Sequence, residues 1–430
     1  MLKYETVINM NYSLEIKNYR KKNALSQRDF AQMIGVKYNT VYRWENGLFE
    51  PSNKYKKKLN SILGETLFER KTKYMKRMLS VLICLISIFT ISSCGNNNHE
   101  NEVLVTDMSG AKVWVPKNPK KVAAVSPSTG DLMIAFGLGD VLDGTYYSVM
   151  DNPWAEIIYP ESASLFGYDY DNSVETFIER GADLIFIPEP ATAKNLRDHG
   201  LNALCVRQFS EEGYGDYVFA FSEIVRTIWG DKVDEKVDMW QADFNKAVNT
   251  VTSKLKENNI YEEKQRTLYY ICGDKDRGLG YTDLGKSLLE YVYDLLNIDF
   301  ICNRFETNRP SAEAVLEINP DIVAIGGIYQ QYLLQQIKVE EPWNRIKGVV
   351  DGKLYNIPVG FVSFEQTAAE SSLFIYDMAN KLYPDLFEFD MVSLTKECMS
   401  KYFSYELSTE EANNILKGLD RNGEPLIWKE

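Results

Sequence analysis

Residues 280–287 read GYTDLGKS and satisfy the spacing GxxxxGKS. In phosphate-binding loops that spacing places backbone N–H groups, a lysine and a hydroxyl around a phosphate, and the turn follows directly from a buried strand. Here about eight residues separate Cys272, the last residue of an apolar run, from Gly280. No strand-like run ends in an acidic residue suited to magnesium either, so we interpret the pattern as a chance match in which Lys286 and Ser287 open a helix.

Other groups that could catalyse a reaction or hold a metal are scarce. The chain contains two histidines, His99 and His199. Transition-metal sites commonly use several imidazoles, and Ser/His/Asp catalysis needs a histidine in a defined constellation. His199 follows Asp198 near the end of a predicted helix, where we expect it to cap the helix at the surface. The sequence therefore predicts no metal site, no cofactor and no enzyme activity, and it favours binding.

The six cysteines do not form the pattern of a disulfide framework. Cys272 and Cys302 each end an apparent strand, so a bridge between them is one alternative. Buried free thiols are the expected state, because unpaired cysteine behaves as a small buried hydrophobe.

Residues 71–94 have the features of a secretion signal. Four basic residues, an apolar run over 78–91 and the small residues Ser92 and Ser93 lead into Cys94. This resembles a bacterial lipobox, which implies cleavage before Cys94, a diacylglycerol on its thiol and a polar tether over 95–102. The prediction is an extracytoplasmic lipoprotein anchored in the membrane through Cys94, with 71–93 as signal peptide. The alternative is a short uncleaved anchor.

Charge and length divide the chain. At 430 residues it exceeds the size of roughly 250–300 residues at which single cores stop growing. Residues 1–77 hold 17 Lys and Arg against 7 Asp and Glu, which gives +10 and leaves −23 for the remainder. A small basic domain suits DNA, whereas a large acidic one repels it. Only residues 1–70 are therefore expected to meet nucleic acid.

Residues 13–64 have the spacing of a helix-turn-helix: Ser26 caps one helix, Gly35 breaks it, and a second runs from near Val36 to Trp44. They resemble the Cro/repressor family. That likeness implies Gln27 at the DNA backbone and a recognition helix in the major groove. Its groove-facing residues would be Lys37, Tyr38, Asn39, Thr40 and Arg43. The alternative is a helical bundle without a DNA function.

A DNA reader and a secreted lipoprotein cannot act as one cleaved chain. Cleavage before Cys94 would leave residues 1–70 in the cytoplasm, if they are translated. One hypothesis is that translation of the lipoprotein starts at Met75. The alternative function is a membrane-anchored transcriptional regulator whose outer domain senses a ligand, which requires that Cys94 is not processed.

Beyond the tether, residues 103–116 alternate around a Ser109-Gly110 turn and predict a hairpin. Strand-like runs then alternate with helical patterns in two sets, which indicates α/β lobes with largely parallel sheets. We expect an N-lobe over 103–212, a C-lobe over 263–430, and between them one long helix that spans both lobes. The tail, 390–419, predicts two short helices, the second capped by Ser408, that cover the C-lobe.

The two lobes contain a repeat. Ser173-Val174-Glu175 precedes Asp183 and LIFI, and Ser311-Ala312-Glu313 precedes Asp321 and IVAI, 138 residues later in each case. A carboxylate at the positive end of a helix dipole explains each copy alone. We favour a further role, in which two carboxylates on matching lobe tips meet paired arginines of a two-fold transporter.

Residues 103 to about 385 resemble the substrate-binding proteins of ABC importers for iron-siderophores, haem and cobalamin. The resemblance is carried by this repeat, the hairpin, SPST at 126–129, INPD and WNRIKGVVDGKLYNIP. The resemblance implies two Rossmann-like lobes joined by a helix, docking to the permease dimer through Glu175 and Glu313, and a ferric chelate, haem or corrinoid as ligand.

The ligand cleft is expected at the carboxyl ends of the strands. Arginine there suits an anionic chelate or a propionate. The predicted cleft residues are Ser126, Ser128, Thr129, Tyr146, Tyr147, Glu189, Arg277, Arg304 and Gly327.

Overall fold

The protein is described by a computed structural model. It describes residues 12–23, 25–36, 38–45, 51, 55–56, 58–59, 62, 99–207, 218–273, 277–285 and 287–427. These fall into two compact units, a small one within 12–62 and a large one within 99–427. The predicted signal segment and Cys94 lie outside the described residues.

The small unit begins with three helices, α1 Tyr12–Lys22, α2 Gln27–Ile34 and α3 Tyr38–Glu45. Ser26 caps α2 by accepting from the Asp29 N–H in a capping box, and Gly35 ends it with φ 76°. A positive φ is the conformation that glycine adopts most easily at a helix end. The predicted cap and break are therefore confirmed. Apolar side chains from all three helices form the core: Ile16, Phe30, Ala31, Ile34, Val41 and Trp44.

The large unit opens with the predicted hairpin. β1 Glu102–Thr106 pairs antiparallel with β2 Lys112–Pro116, and Val105 faces Val113 across the ladder. The buried Asp107 carboxylate closes the turn by accepting from the Ser109 and Ala111 N–H groups.

Each lobe contains a parallel sheet, as predicted. The N-lobe sheet has the order β5-β4-β3-β6-β7, and the C-lobe sheet has the order β11-β10-β8-β9. The N-lobe strands are β3 Val122–Ala124, β4 Leu142–Tyr146, β5 Phe166–Tyr168, β6 Leu184–Ile187 and β7 Ala203–Cys205. The C-lobe strands are β8 Arg266–Cys272, β9 Ile298–Phe300, β10 Ile322–Gly326 and β11 Leu354–Asn356.

Helices cover both sheets. Those of the N-lobe are α4 Pro127–Ala135, α5 Tyr147–Asp151, α6 Ala155–Ile158, α7 Val174–Arg180 and α8 Pro190–Asp198. The connecting helices are α9 Ala220–Trp229 and α10 Asp234–Glu257. The C-lobe and tail contain α11 Leu288–Leu295, α12 Ala312–Ile318, α13 Gln330–Gln336, α14 Lys347–Val350, α15 Ser371–Leu382, α16 Met391–Phe403 and α17 Thr409–Lys417. Within the described ranges, no helix is both long and apolar enough to cross a membrane.

The connection between the lobes differs from the prediction of one long helix. The chain breaks at Gly230, whose φ of 57° and ψ of −137° are incompatible with helix continuation. The long helix is α10, which contacts both lobes. Its Trp240 packs edge-on against Phe136 of the N-lobe at 5.9 Å and donates its indole N–H to Ala368 O of the C-lobe at 2.9 Å.

The sequence repeat is a structural repeat. α7 and α12 each have seven residues, begin after a serine N-cap and end at a residue in the left-handed region, Gly181 with φ 66° and Asn319 with φ 51°. After each helix an aspartate accepts from the backbone where the central strand starts: Asp183 from Lys121 N, and Asp321 from Thr267 N. The two lobe tips therefore share one local design.

Candidate functional site

The carboxyl ends of the N-lobe strands face the C-lobe segment 357–370. Ser128, in the first turn of α4, bonds to Gln366 at 3.2 Å. The Asn152 side chain donates to the carbonyl oxygens of Gly360 and Phe361 at 2.9 and 3.0 Å. The predicted location of a cleft between the lobes is consistent with these contacts, because strand-end loops of both lobes meet there.

Three tyrosines form an aromatic shelf on the N-lobe side. Tyr146 ends β4 and stacks on Tyr170 with ring centroids 4.3 Å apart, and its centroid lies 4.6 Å from that of Tyr147. Tyr147 and Tyr170 are 42% and 37% exposed. Burial raises the pKa of Tyr170 to about 12, so its hydroxyl is neutral at physiological pH. The shelf therefore offers flat aromatic rings and the neutral Tyr170 hydroxyl to a ligand.

Charged groups adjoin the shelf. Arg207, two residues after β7, pairs with Glu189 at 3.8 Å. It also lies close enough to Tyr170 and to Asp283 of the C-lobe for its charge to lower the pKa of both groups. Burial outweighs this charge at both groups, so the pKa of each is raised overall. An arginine of one lobe and a carboxyl group of the other are thus close enough to interact electrostatically across the lobe boundary.

Two further arginines flank an aromatic ring on the C-lobe side. The guanidinium carbons of Arg277 and Arg309 lie 4.4 and 5.2 Å from the centroid of Tyr281. Cation–π contacts of this kind fix the position of an arginine side chain against an aromatic ring. The pair can therefore present positive charge to an anionic ligand.

Gly327, a predicted cleft residue, has a backbone role. Its φ is 74°, and a Cβ there would lie 2.5 Å from the Gly273 carbonyl oxygen. A Cβ on Gly273 would lie 1.7 Å from the Gly326 oxygen. Glycine at these positions lets the ends of β8 and β10 approach more closely than any other residue would allow.

Beneath these glycines lies the buried Glu365. Its carboxyl group accepts from the Tyr270 hydroxyl at 3.0 Å and from Ser363, and burial raises its pKa.

The other predicted cleft residues are placed as follows. Ser126 caps α4, and its carbonyl accepts from the hydroxyls of Thr129 and Thr145 at 3.0 and 3.2 Å. Thr129 is 3% exposed, so its hydroxyl serves the helix start. Arg304 pairs with Asp299 of its own strand segment. The structure thus places Tyr146, Tyr147 and Glu189 close together near Arg207. Thr129 and Arg304 instead bond to residues near them in sequence.

Sequence reasoning missed Tyr170, Arg207, Asp283, Tyr281 and Arg309. Tyr170 lies two residues after the end of β5, and Arg207 lies two residues after the end of β7. The strand-end rule that selected Tyr146 and Glu189 also applies to them. That signal was present in the sequence and could have identified both.

The GxxxxGKS pattern does not form a phosphate cradle in the described residues. The Gly285 N–H donates to Asp283 Oδ1 at 2.6 Å, and the Ser287 hydroxyl bonds to the same oxygen at 3.3 Å. A bound phosphate would need both of these donors. The Asp283 carboxyl group already accepts from them, and it would repel a phosphate. Ser287 caps α11, as expected, and Lys286 lies outside the described residues.

Cysteine and histidine behave as structural residues. Cys272 and Cys302 are free, and burial raises the pKa of each thiol to about 12. His199 ends α8 with its Nδ1 2.8 Å from the Asn195 carbonyl. Across the described ranges, no cluster of three or more His, Cys, Asp or Glu could hold a metal ion.

A groove of about 590 Å³ lies elsewhere, between the hairpin and α9. Its lining includes Thr106, Met108, Glu223 and Ile224 and shares no residue with the aromatic shelf. It is therefore separate from the proposed cleft.

The docking candidates are exposed. Glu175 is the second residue of α7, and Glu313 is the second residue of α12. Hydrogen bonds from its own N–H and from Ser173 lower the pKa of Glu175, which keeps it ionised. The equivalent helical positions give both lobes an exposed carboxyl group at the same place.

In the small unit, Gln27 is buried. It is 1% exposed, and its side-chain nitrogen donates to Glu45 Oε2 at 2.7 Å. Arg20 closes the network by donating to both Glu45 oxygens at 2.6 and 2.9 Å. This network fixes the start of α2 against the end of α3, and Thr40 lies half-buried on α3. Lys37 and the side chains of Tyr38, Asn39 and Arg43 lie outside the described residues, so DNA contact stays a prediction.

Comparison with known proteins finds similar proteins or family models for both units. A helix-turn-helix family model matches residues 16–69. An uncharacterized ABC transporter substrate-binding lipoprotein of Bacillus subtilis, YvrC, is 23% identical over 329 residues, covering 71% of this chain and 96% of that protein. A probable siderophore-binding lipoprotein of the same species, YfiY, is 21% identical over 287 residues, with coverages of 63% and 84%.

Among solved structures, the molybdate-binding periplasmic protein MolA of Haemophilus influenzae matches with a TM-score of 0.58 at 16% identity, covering 71% of this chain and 99% of that one. The large unit therefore has the fold of periplasmic solute-binding proteins. The predicted resemblances to ABC substrate-binding lipoproteins and to helix-turn-helix domains are confirmed. The similar proteins are solute-binding proteins and not enzymes.

Proposed function

We propose that residues 94–430 form the lipid-anchored substrate-binding component of an ABC importer, which captures an anionic iron chelate, haem or a corrinoid between its lobes. The observation that supports this most directly is the contact between loops of both lobes, in which Ser128 bonds to Gln366 and Asn152 donates to the Gly360 and Phe361 carbonyls. The tyrosine shelf and Arg207 lie in the N-lobe, where the charge of Arg207 acts on Asp283 of the C-lobe, and Arg277 and Arg309 lie beside Tyr281 in the C-lobe.

The ligand chemistry follows from these groups. Flat aromatic rings bind apolar or conjugated surface, and guanidinium groups bind carboxylates and other anions. A ferric siderophore, a haem or a corrinoid presents such surface. The relative named as a probable siderophore-binding lipoprotein supports a ferric chelate as the solute.

Isothermal titration of the full chain tests the ligand class. The panel contains a ferric catecholate, a ferric hydroxamate, haem, cobalamin and molybdate. We expect one chelate class to bind, and Arg277→Gln with Arg309→Gln to weaken it by roughly tenfold or more, because charge-assisted hydrogen bonds are lost. Arg345→Gln, at an exposed arginine of the same lobe, is the control. Binding of molybdate alone would contradict the chelate proposal.

Delivery to the permease would use Glu175 and Glu313. Two carboxylates at equivalent positions of two similar lobes suit a partner with two-fold symmetry, since each can meet the same arginine-rich surface. Both side chains are exposed, which such docking requires.

The anchor would be Cys94. The two Bacillus subtilis relatives carry the name lipoprotein, which supports an extracytoplasmic location for residues 94–430. Two acyl chains anchor a protein stably, because each buried methylene contributes roughly 0.8 kcal/mol.

A second candidate function is a membrane-held regulator that uses the small unit inside the cell. The formed α2–α3 pair and the family match over 16–69 favour DNA binding by this unit. Radiolabelled palmitate distinguishes the two functions. Label that enters the protein and is lost in Cys94→Ala supports the lipoprotein, and absence of label with the intact chain in the membrane supports the regulator.

A further inference from the structure

The C-terminal segment 391–427, here named the strap, contacts more than the C-lobe. It contains α16 and α17 and ends in a short bridge between Leu419 and Pro425. It begins beyond residue 385, where the sequence resemblance to binding proteins ends. A segment that only covered the C-lobe would contact that lobe alone.

The strap is fixed to the C-lobe by backbone-directed bonds. Asn356 at the end of β11 donates to the Leu416 carbonyl at 2.9 Å, and Gln331 donates to that of Lys417. Gly418 follows with φ 69°, and a Cβ there would lie 2.4 Å from the Gln330 side chain. The end of α17 therefore sits tightly against the start of α13.

The strap also bonds to the connecting helix. Lys401 Nζ and the Tyr402 hydroxyl, both on α16, reach Asp243 Oδ2 of α10 at 2.6 and 2.7 Å. Tyr402 is 4% exposed, so its hydroxyl bond lies at a buried contact. α16 therefore lies alongside the helix that already joins the lobes.

The N-lobe supplies the third attachment. Trp154, which is 0% exposed, donates its indole N–H to the Leu419 carbonyl at 2.9 Å. Phe403 of the strap packs on Phe361 at 5.0 Å, and Tyr159 of the N-lobe contacts the same ring at 6.4 Å. The strap thus meets N-lobe side chains directly and through Phe361.

We propose that the strap is a further tie between the lobes, in addition to α10 and the direct contacts of segment 357–370, and that it limits their relative motion before any solute arrives. The lobes already share α10 and the direct contacts of Ser128 and Asn152 with segment 357–370, and an attachment on another side further restricts bending between them. The tie is defined without reference to the solute, so it can be tested in the ligand-free protein.

The test uses two conservative substitutions in the full chain. Trp154→Phe removes the indole donor and keeps an aromatic ring, and Tyr402→Phe removes the bond to Asp243. Tyr405→Phe is the matched control, because its hydroxyl bonds to Glu411 within the strap. Amide hydrogen exchange is followed by mass spectrometry. A double electron–electron resonance distance is measured between nitroxides on Glu179→Cys and Glu317→Cys, in a Cys94→Ala background.

We expect the double variant to exchange roughly tenfold faster in residues 357–370 and to broaden the interlobe distance distribution, with Tyr405→Phe unchanged. Faster exchange confined to 391–427, with the distance distribution unchanged, would show that the strap only covers the C-lobe. Exchange and distances like those of the unsubstituted chain would also overturn the proposal. Because these measurements use ligand-free protein, a negative result here does not bear on the proposed transport function. Likewise, failure to bind any chelate in the titration does not bear on the proposed role of the strap.

Discussion

Glu175 and Glu313 occupy the same position in two seven-residue helices, each second in its helix and each after a serine cap, 138 residues apart. Two further exposed carboxyl groups, Glu179 and Glu317, stand 138 residues apart on the same helices. Glu179 and Glu317 can therefore serve as the matched control for any test of Glu175 and Glu313.

Glu175→Ala with Glu313→Ala is expected to reduce solute uptake in cells by roughly tenfold or more, because one charge-assisted contact is lost at each lobe tip. Solute affinity and melting temperature should not change. Glu179→Ala with Glu317→Ala should retain uptake. Equal loss of uptake in both double variants would argue against docking through Glu175 and Glu313.

The serine caps of these helices should differ in their contribution to stability. Ser311 accepts a hydrogen bond from the Ala314 N–H at 3.2 Å, whereas no equivalent cap bond to Ser173 is present in the described structure. Ser311→Ala is expected to lower the free energy of unfolding by about 1 kcal/mol, and Ser173→Ala by less. Urea denaturation of the two variants measures this, and a larger loss in Ser173→Ala would contradict it.

The aromatic shelf predicts a matched pair of binding variants. Tyr147 in the shelf and Trp114 on the hairpin are both 42% exposed. Tyr147→Ala should weaken chelate binding by roughly tenfold, because stacking and apolar contact are lost, and Trp114→Ala should leave it unchanged. Fluorescence quenching with ferric siderophores, haem and cobalamin reports both affinities. Equal affinities for the two variants would remove the shelf from the site.

A buried carboxyl pair predicts how stability depends on pH. Asp131 of α4 accepts from the Ala369 N–H at 2.7 Å, and Glu370 accepts from the Phe361 N–H at 3.0 Å. Burial, followed by the charge of Glu370, raises the pKa of Asp131. Burial raises the pKa of Glu370 from 4.5 to about 7. The folded chain therefore retains protons on this pair at pH values where the unfolded chain would release them.

The sign of the effect follows from this difference. Glu370 binds more proton in the folded state than in the unfolded state between pH 4.5 and about 7. Its contribution to stability is complete below that window and is lost as pH rises through about 7. Relative to Glu370→Gln, the unsubstituted protein should lose at most about 1.4 kcal/mol per pH unit. Glu388→Gln, at an exposed carboxyl group, is the control, and parallel pH profiles for all three proteins would refute the prediction.

Local patterns were sufficient to predict much of the fold. The hairpin, the two sets of parallel strands and the repeated Ser-x-Glu helices are each specified by residues close together in sequence, and each is present. Gly230 shows the limit of this reasoning. Its identity alone did not reveal the positive φ that ends α9, because a glycine is also tolerated inside a helix.

The cleft was only partly predictable, for a different reason. Tyr146 and Glu189 follow strands of one lobe, so the strand-end rule finds them. The proximity of Arg207 to Asp283, and of Asp131 to Glu370, depends on how two lobes are placed against each other. The same is true of the contact between Trp154 and Leu419, which are 265 residues apart. Contacts between residues so far apart in the chain produce no recognisable spacing pattern in the sequence.

Ligand-induced thermal stabilisation tests the central claim most directly. The full chain carrying Cys94→Ala is heated with ferric siderophores, haem, cobalamin or ATP at equal concentration. A ligand at 100 times its dissociation constant stabilises the folded state by about 2.7 kcal/mol, which is readily measured as a rise in melting temperature. The account predicts that one chelate class raises the melting temperature of the large unit and that ATP does not. Stabilisation by ATP alone would contradict it.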